Sequence, residues 1–135
     1  AWHYKAFGNI SKATKIPPNG FEVLRDVLDR ETTIITGSPP KNLASALMVL
    51  GQSFVLGRWV AQGGFAGEGV VHKELQLPKF AGRITCPTFN LNGAPKETLA
   101  LLACEDIGQR LFVSKNVCHG VVYDNQFHEK RNLND

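Results

Sequence analysis

No stretch of this chain approaches the ~20 consecutive apolar residues that a membrane-crossing helix needs, so no membrane partner is expected. The opening Ala1-Trp2-His3-Tyr4-Lys5 also lacks the apolar core of a secretion signal. Cysteine is scarce and odd in number. Cys86, Cys104 and Cys118 fit no CxxC framework, which points to free thiols in a reducing, cytoplasmic setting. Cys118 and His119 are adjacent, and neighbours rarely reach one metal, so zinc is not expected there. Net charge is small at +3 and the basic residues are scattered, leaving no stripe for nucleic acid. Repeats and low-complexity tracts are absent as well. What is present is 135 residues with 43% hydrophobic and 20% charged, the composition of one soluble globular domain.

The pattern along the chain alternates helix and strand. Residues 1–20 have no period and end in the turn signal Pro17-Pro18-Asn19-Gly20, so they read as an irregular segment. Phe21, Leu24, Val27 and Leu28 recur at helical spacing and predict an amphipathic helix. Thr32 to Gly37 is a β-branched run stopped by glycine, a buried strand. Ser38 is placed to cap a second helix, begun by Pro39-Pro40-Lys41, that buries Leu43, Ala44, Leu47, Met48 and Leu50. A strand at Arg58 to Gln62 ends at Gly63-Gly64, and Phe65 to Arg83 reads as a loop with room for a hairpin at Val70, Val71, Leu75 and Leu77. Pro95 opens a helix to about Glu105 that buries Leu99, Leu102 and Cys104 or Ala103, and Leu111-Phe112-Val113 begins another strand. Residues 127–135 form a polar tail expected to fray. This alternation predicts an α/β domain over residues 21–126, with a mostly parallel sheet and flanking helices. Ligands of such sheets bind at the carboxyl ends of the strands, which directs attention to Ser38–Asn42, Gln62–Glu68 and Asn90.

Those segments resemble the nucleoside hydrolases, enzymes that split the N-glycosidic bond of nucleosides. Leu24 to Leu47 is similar to a helix, a strand and a Gly-Pro-Leu-Thr-Asn segment of that family; Trp59 to Gly64 to its Gly-Gly strand end; Thr88-Phe89-Asn90 to its Glu-Phe-Asn sugar-binding motif. The similarity runs from about Phe21 to His119. It implies a Rossmann-like sheet of the nucleoside hydrolase type, a nucleoside ligand, a calcium ion and an oligomer. The family's early aspartate cluster and late aspartate have no counterpart here, so the chain reads as a central portion, a partial domain whose site another chain or further residues would complete.

The departures bear on the chemistry. Lys41 stands where the family has a threonine whose backbone carbonyl binds calcium, and a carbonyl survives a change of side chain. Thr88 replaces the glutamate of Glu-Phe-Asn, which removes a charged acceptor for sugar hydroxyls and weakens sugar binding by ~1–2 kcal/mol. An asparagine that the family carries after Gly-Gly has no clear match, though Glu68 could substitute for it chemically. The resemblance thus assigns substrate contacts to Asn90, Thr88, Gly64, Phe65 and Glu68, and a metal contact to Lys41, with no catalytic residue in the chain itself. Hydrolysis through an oxocarbenium-like sugar needs an activated water, which the absent aspartates would supply. Two alternatives follow: a hydrolase completed by other residues, or a catalytically inactive binding or structural module derived from one. Asn90 and Asn92 also suit a plain turn before Pro95, and His3, His72, His119 and His128 have no carboxylate at triad spacing.

Overall fold

A computed structural model describes residues 8, 11, 14–16 and 18–132. It is an α/β fold built on a three-stranded parallel sheet with strands in the order β1-β2-β3. The elements are α1 (Gly20–Val27), β1 (Thr33–Thr36), α2 (Lys41–Leu50), β2 (Leu56–Gln62), α3 (Phe89–Asn92), α4 (Pro95–Ala103), β3 (Ile107–Val113), α5 (Lys115–Cys118) and α6 (Asn125–Asn132). Most of residues 1–17 lie outside the described part, so the irregular reading of that segment has no structural counterpart here.

Each helix starts where local chemistry allows it. Asn19 and Glu22 form a reciprocal capping box at α1, the Asn19 N–H donating to Glu22 Oε2 at 3.0 Å. Before β1, Asp29 Oδ1 accepts from the Thr32 N–H and hydroxyl, both at 2.6 Å, and turns the chain into the sheet. Ser38 does not cap α2. Pro40 occupies that position and the Lys41 N–H closes the turn on the Pro39 carbonyl at 2.8 Å, so backbone geometry set by two prolines replaces the hydroxyl.

The strand register places Ile34, Trp59 and Arg110 in one row, with Thr36, Ala61 and Phe112 in the next row on the same face. This face is covered. Trp59 and Ala61 are fully buried with Leu43, Ala44 and Ala46 of α2 and Leu101 of α4, and α1 packs on α2. The Trp59 indole N–H donates to Thr36 Oγ1 at 2.9 Å, and its ring meets Phe112 edge-on at 5.2 Å. The opposite row, Ile35, Val60 and Leu111, faces outward: Ile35 is 77% and Leu111 55% exposed.

Several expectations are corrected. Val27 and Met48 are exposed, not buried. In α4 the inward residues are Thr98 and Leu101, while Leu99 and Leu102 face outward. The Thr98 hydroxyl donates to the Leu91 carbonyl at 3.1 Å, and that bond lets a polar side chain occupy the core-facing position and sets the helix rotation. Val113 ends β3; it does not begin it. Gly108, Gln109 and Arg110 hide the strand from an apolar pattern, because the Arg110 guanidinium turns back to donate to the carbonyls of Ile107, Leu101 and Cys104, the last two at the end of α4. Residues 65–83 hold no hairpin, only 3-10 turns at Lys73–Leu75 and Pro78–Phe80. Of the tail expected to fray, residues 127–132 belong to α6, which Asp124 starts: its Oδ1 accepts from the Phe127 N–H at 2.8 Å.

Candidate functional site

The carboxyl end of β2 opens into a turn that only glycine fits comfortably. Gly64 has φ +75°, and a Cβ on Gly63 would stand 2.8 Å from Leu91 Cγ of α3. The Gly63 N–H donates to the Val113 carbonyl at 3.0 Å, and the Lys115 N–H to the Gly64 carbonyl at 3.0 Å, so the turn is tied to the ends of both β3 and α5. Thr88 holds it from the third side: its Oγ1 accepts from the Gly64 N–H at 3.2 Å.

Two cavities adjoin at Gly63. The first, about 200 Å³, is lined by Gln62, Gly63, Thr88, Phe89, Asn90, Lys115 and His119. The second, about 310 Å³, is mainly apolar, with Gly64, Phe65, Leu91, Leu102, Phe112 and Ser114 in its wall. Of the residues expected to touch substrate, Asn90 and Thr88 share the polar cavity, and Gly64 and Phe65 line the apolar one. Phe65 is held edge-on against Phe80 at 5.3 Å. Glu68 lies elsewhere. It faces a separate hollow with Lys73 and Gln76, where its carboxylate accepts from Gln76 Nε2 at 3.2 Å and lies 4.0 Å from the Lys73 ammonium. Lys41 is exposed at the first turn of α2 and lines neither cavity.

Asn90 is 7% exposed and its Nδ2 donates twice, to the Gln62 carbonyl at 2.7 Å and to Gln62 Oε1 at 2.5 Å. Gln62 Nε2 in turn faces Cys118 Sγ at 3.0 Å. Both donor protons of the amide are thereby used, while no donor among the described residues reaches Asn90 Oδ1. An amide oxygen fixed in this way is a directed acceptor for a hydroxyl group.

Lys115, His119 and Lys79 are the site's unexpected members, while Gln62 lies in the segment singled out from the sequence. Lys115 and His119 stand four residues apart, the spacing that puts side chains on one face of a helical turn, and that was the available signal. Lys79 Nζ is 2.9 Å from His119 Nδ1. An ammonium can only donate, so Nδ1 is the acceptor and the ring's remaining proton is on Nε2. Desolvation, then the charges of Lys79 and Lys115, hold His119 below the ordinary imidazole range. Asn116, 6% exposed, fastens the loop by donating to the Ala66 carbonyl at 2.8 Å and accepting from the Leu77 N–H at 3.1 Å.

The calcium ion that the resemblance implies finds no cluster of acidic side chains among the described residues. They gather no group of three His, Cys, Asp or Glu side chains, and the one carbonyl assigned to the ion, at Lys41, opens a helix in which carbonyls point along the axis to later N–H groups. Cys86, Cys104 and Cys118 are all free thiols. Among the described residues no helix is long and apolar enough to cross a membrane. Compared with protein-family models, curated proteins and solved structures, the chain matches none.

Proposed function

We propose that this chain is the ribose-recognising portion of a cytoplasmic nucleoside hydrolase-like protein of Rossmann-like fold, releasing base from a ribonucleoside when further protein completes the site. The observation that carries this reading is the Asn90 amide: Gln62 consumes its donors and leaves Oδ1 as an oriented acceptor in a polar cavity at the carboxyl edge of a parallel sheet. The neighbouring apolar cavity, which shares Gly63, suits a purine or pyrimidine ring beside the sugar. What this chain's own residues do is bind and orient the substrate: Asn90 accepts from a ribose hydroxyl, and Thr88 and Gly64 keep the wall between sugar and base in place. Activated water, calcium and its carboxylate ligands would belong to residues other than these, in a second chain or an oligomer. The outward row Ile35, Val60 and Leu111 supports such a partner, because parallel sheets are ordinarily covered on both faces.

Saturation-transfer NMR of the 135-residue chain with inosine tests the reading. Saturation should reach the ribose protons, and Asn90→Ala should weaken binding at least about tenfold, or ~1.4 kcal/mol. Inosine that receives no saturation, or receives it equally from a folded Asn90→Ala variant, would leave the inactive structural module as the better description.

A further inference from the structure

The polar cavity holds more positive charge than a neutral sugar calls for. Lys115, in its wall, donates to the Pro87 carbonyl at 2.9 Å and lies 3.5 Å from Cys86 Sγ, which leaves one ammonium proton unused. His119 closes the same wall, with Lys79 behind it donating to Nδ1 and keeping two protons in hand. The three groups gather around one ring: Lys79 Nζ is 5.3 Å and Lys115 Nζ 5.8 Å from the Phe80 centroid, and the His119 ring is 5.6 Å away. No carboxylate among the described residues offsets them, since the ion pairs there are Arg25–Asp26 and Lys73–Glu68.

We propose that this corner binds the phosphate of a phosphorylated ribose or ribonucleoside, with Lys115 donating to a phosphate oxygen, His119 donating through Nε2 while Lys79 holds its Nδ1, and Asn90 accepting from the sugar. The sugar half of the proposal rests on the function proposed above; the phosphate half rests on the cation cluster alone. The lowered protonation of His119 agrees with it, because the same neighbouring charges that disfavour imidazolium would be offset by a bound phosphate.

Calorimetric titration of the 135-residue chain at low ionic strength with ribose 5-phosphate, ribose and inorganic phosphate separates the two halves. Ribose 5-phosphate should bind at least about tenfold more tightly than ribose, because its contacts are charge-assisted. Lys115→Gln, with its melting curve unchanged, should erase most of that advantage. Equal affinity for ribose and ribose 5-phosphate, or an advantage that Lys115→Gln retains, overturns the phosphate site while sparing the sugar reading. Phosphate binding as tightly as ribose 5-phosphate, with no ribose binding, supports the phosphate site and overturns the sugar reading; no binding by any of the three overturns both.

Discussion

Thr88 shows how a single residue changes its meaning once it is placed. The nucleoside hydrolase resemblance sets it in place of a glutamate and implies weaker sugar binding, yet its hydroxyl accepts from the Gly64 N–H and its own N–H donates to Asn92 Oδ1 at 2.8 Å. It therefore ties the start of α3 to the glycine turn. Thr88→Val keeps the shape and removes the acceptor, leaving a half-buried N–H without its partner. We expect a loss of ~1–3 kcal/mol, read as a lower urea midpoint with an unchanged slope; a midpoint within error of the parent would mean that the bond contributes nothing. Asn90 is similar: as a sugar clamp alone it would be dispensable for folding, but its bonds to Gln62 make it structural as well. An Asn90→Ala measurement of binding accordingly needs a melting curve beside it.

At the scale of elements, α4 separates what a pattern can reveal from what packing imposes. Apolar spacing alone favours Leu99 and Leu102 as the inner face, and neither is. Leu101 is fully buried against the core while Leu99 is 65% exposed. Leu101→Ala should cost ~2–5 kcal/mol by leaving a cavity, and Leu99→Ala should change stability by less than about 0.5 kcal/mol. Chemical denaturation of the two variants decides the register, and comparable losses would reverse it. The first half of β3 escaped a reading from apolar residues because Gly108, Gln109 and Arg110 occupy its centre. Arg110 is explained only by the helix end beside it, where its guanidinium satisfies the carbonyls of Leu101 and Cys104. No periodicity within the strand contains that information.

For the molecule as a whole, two groups tie stability to pH in the same direction. His119 is held below its ordinary value by desolvation and by Lys79 and Lys115, so between its folded value and about 6.5 the unfolded chain binds more protons. Stability is then lost as pH falls below about 6.5. Asp29 is held below the carboxylate range by the Thr32 hydroxyl and by the Thr32 and Glu31 N–H groups, and its contribution disappears as pH falls through that lowered value. Both groups are solvent-exposed, so each effect is small. The urea midpoint should decline from pH 7 to 5 and again below about pH 4, and His119→Gln should flatten the first decline. A midpoint that rises on acidification would contradict both assignments.

The sequence by itself determined the order of elements and the class of fold. Alternating helical and β-branched segments, with glycines at strand ends and prolines at helix starts, dictate parallel strands joined by helices because no short connection can join parallel neighbours. It also pointed to Gly63-Gly64 and Asn90 as residues near a strand's carboxyl end, and there they line adjoining cavities. The tertiary structure decided the remainder: which face of α4 is buried, why an arginine lies in β3, that Glu68 turns to Lys73 and Gln76, and that Lys79, Lys115 and His119 gather beside Asn90. These facts depend on groups up to 40 residues apart. Local spacing carries no record of such distances, whereas packing and hydrogen-bond satisfaction in three dimensions fix them.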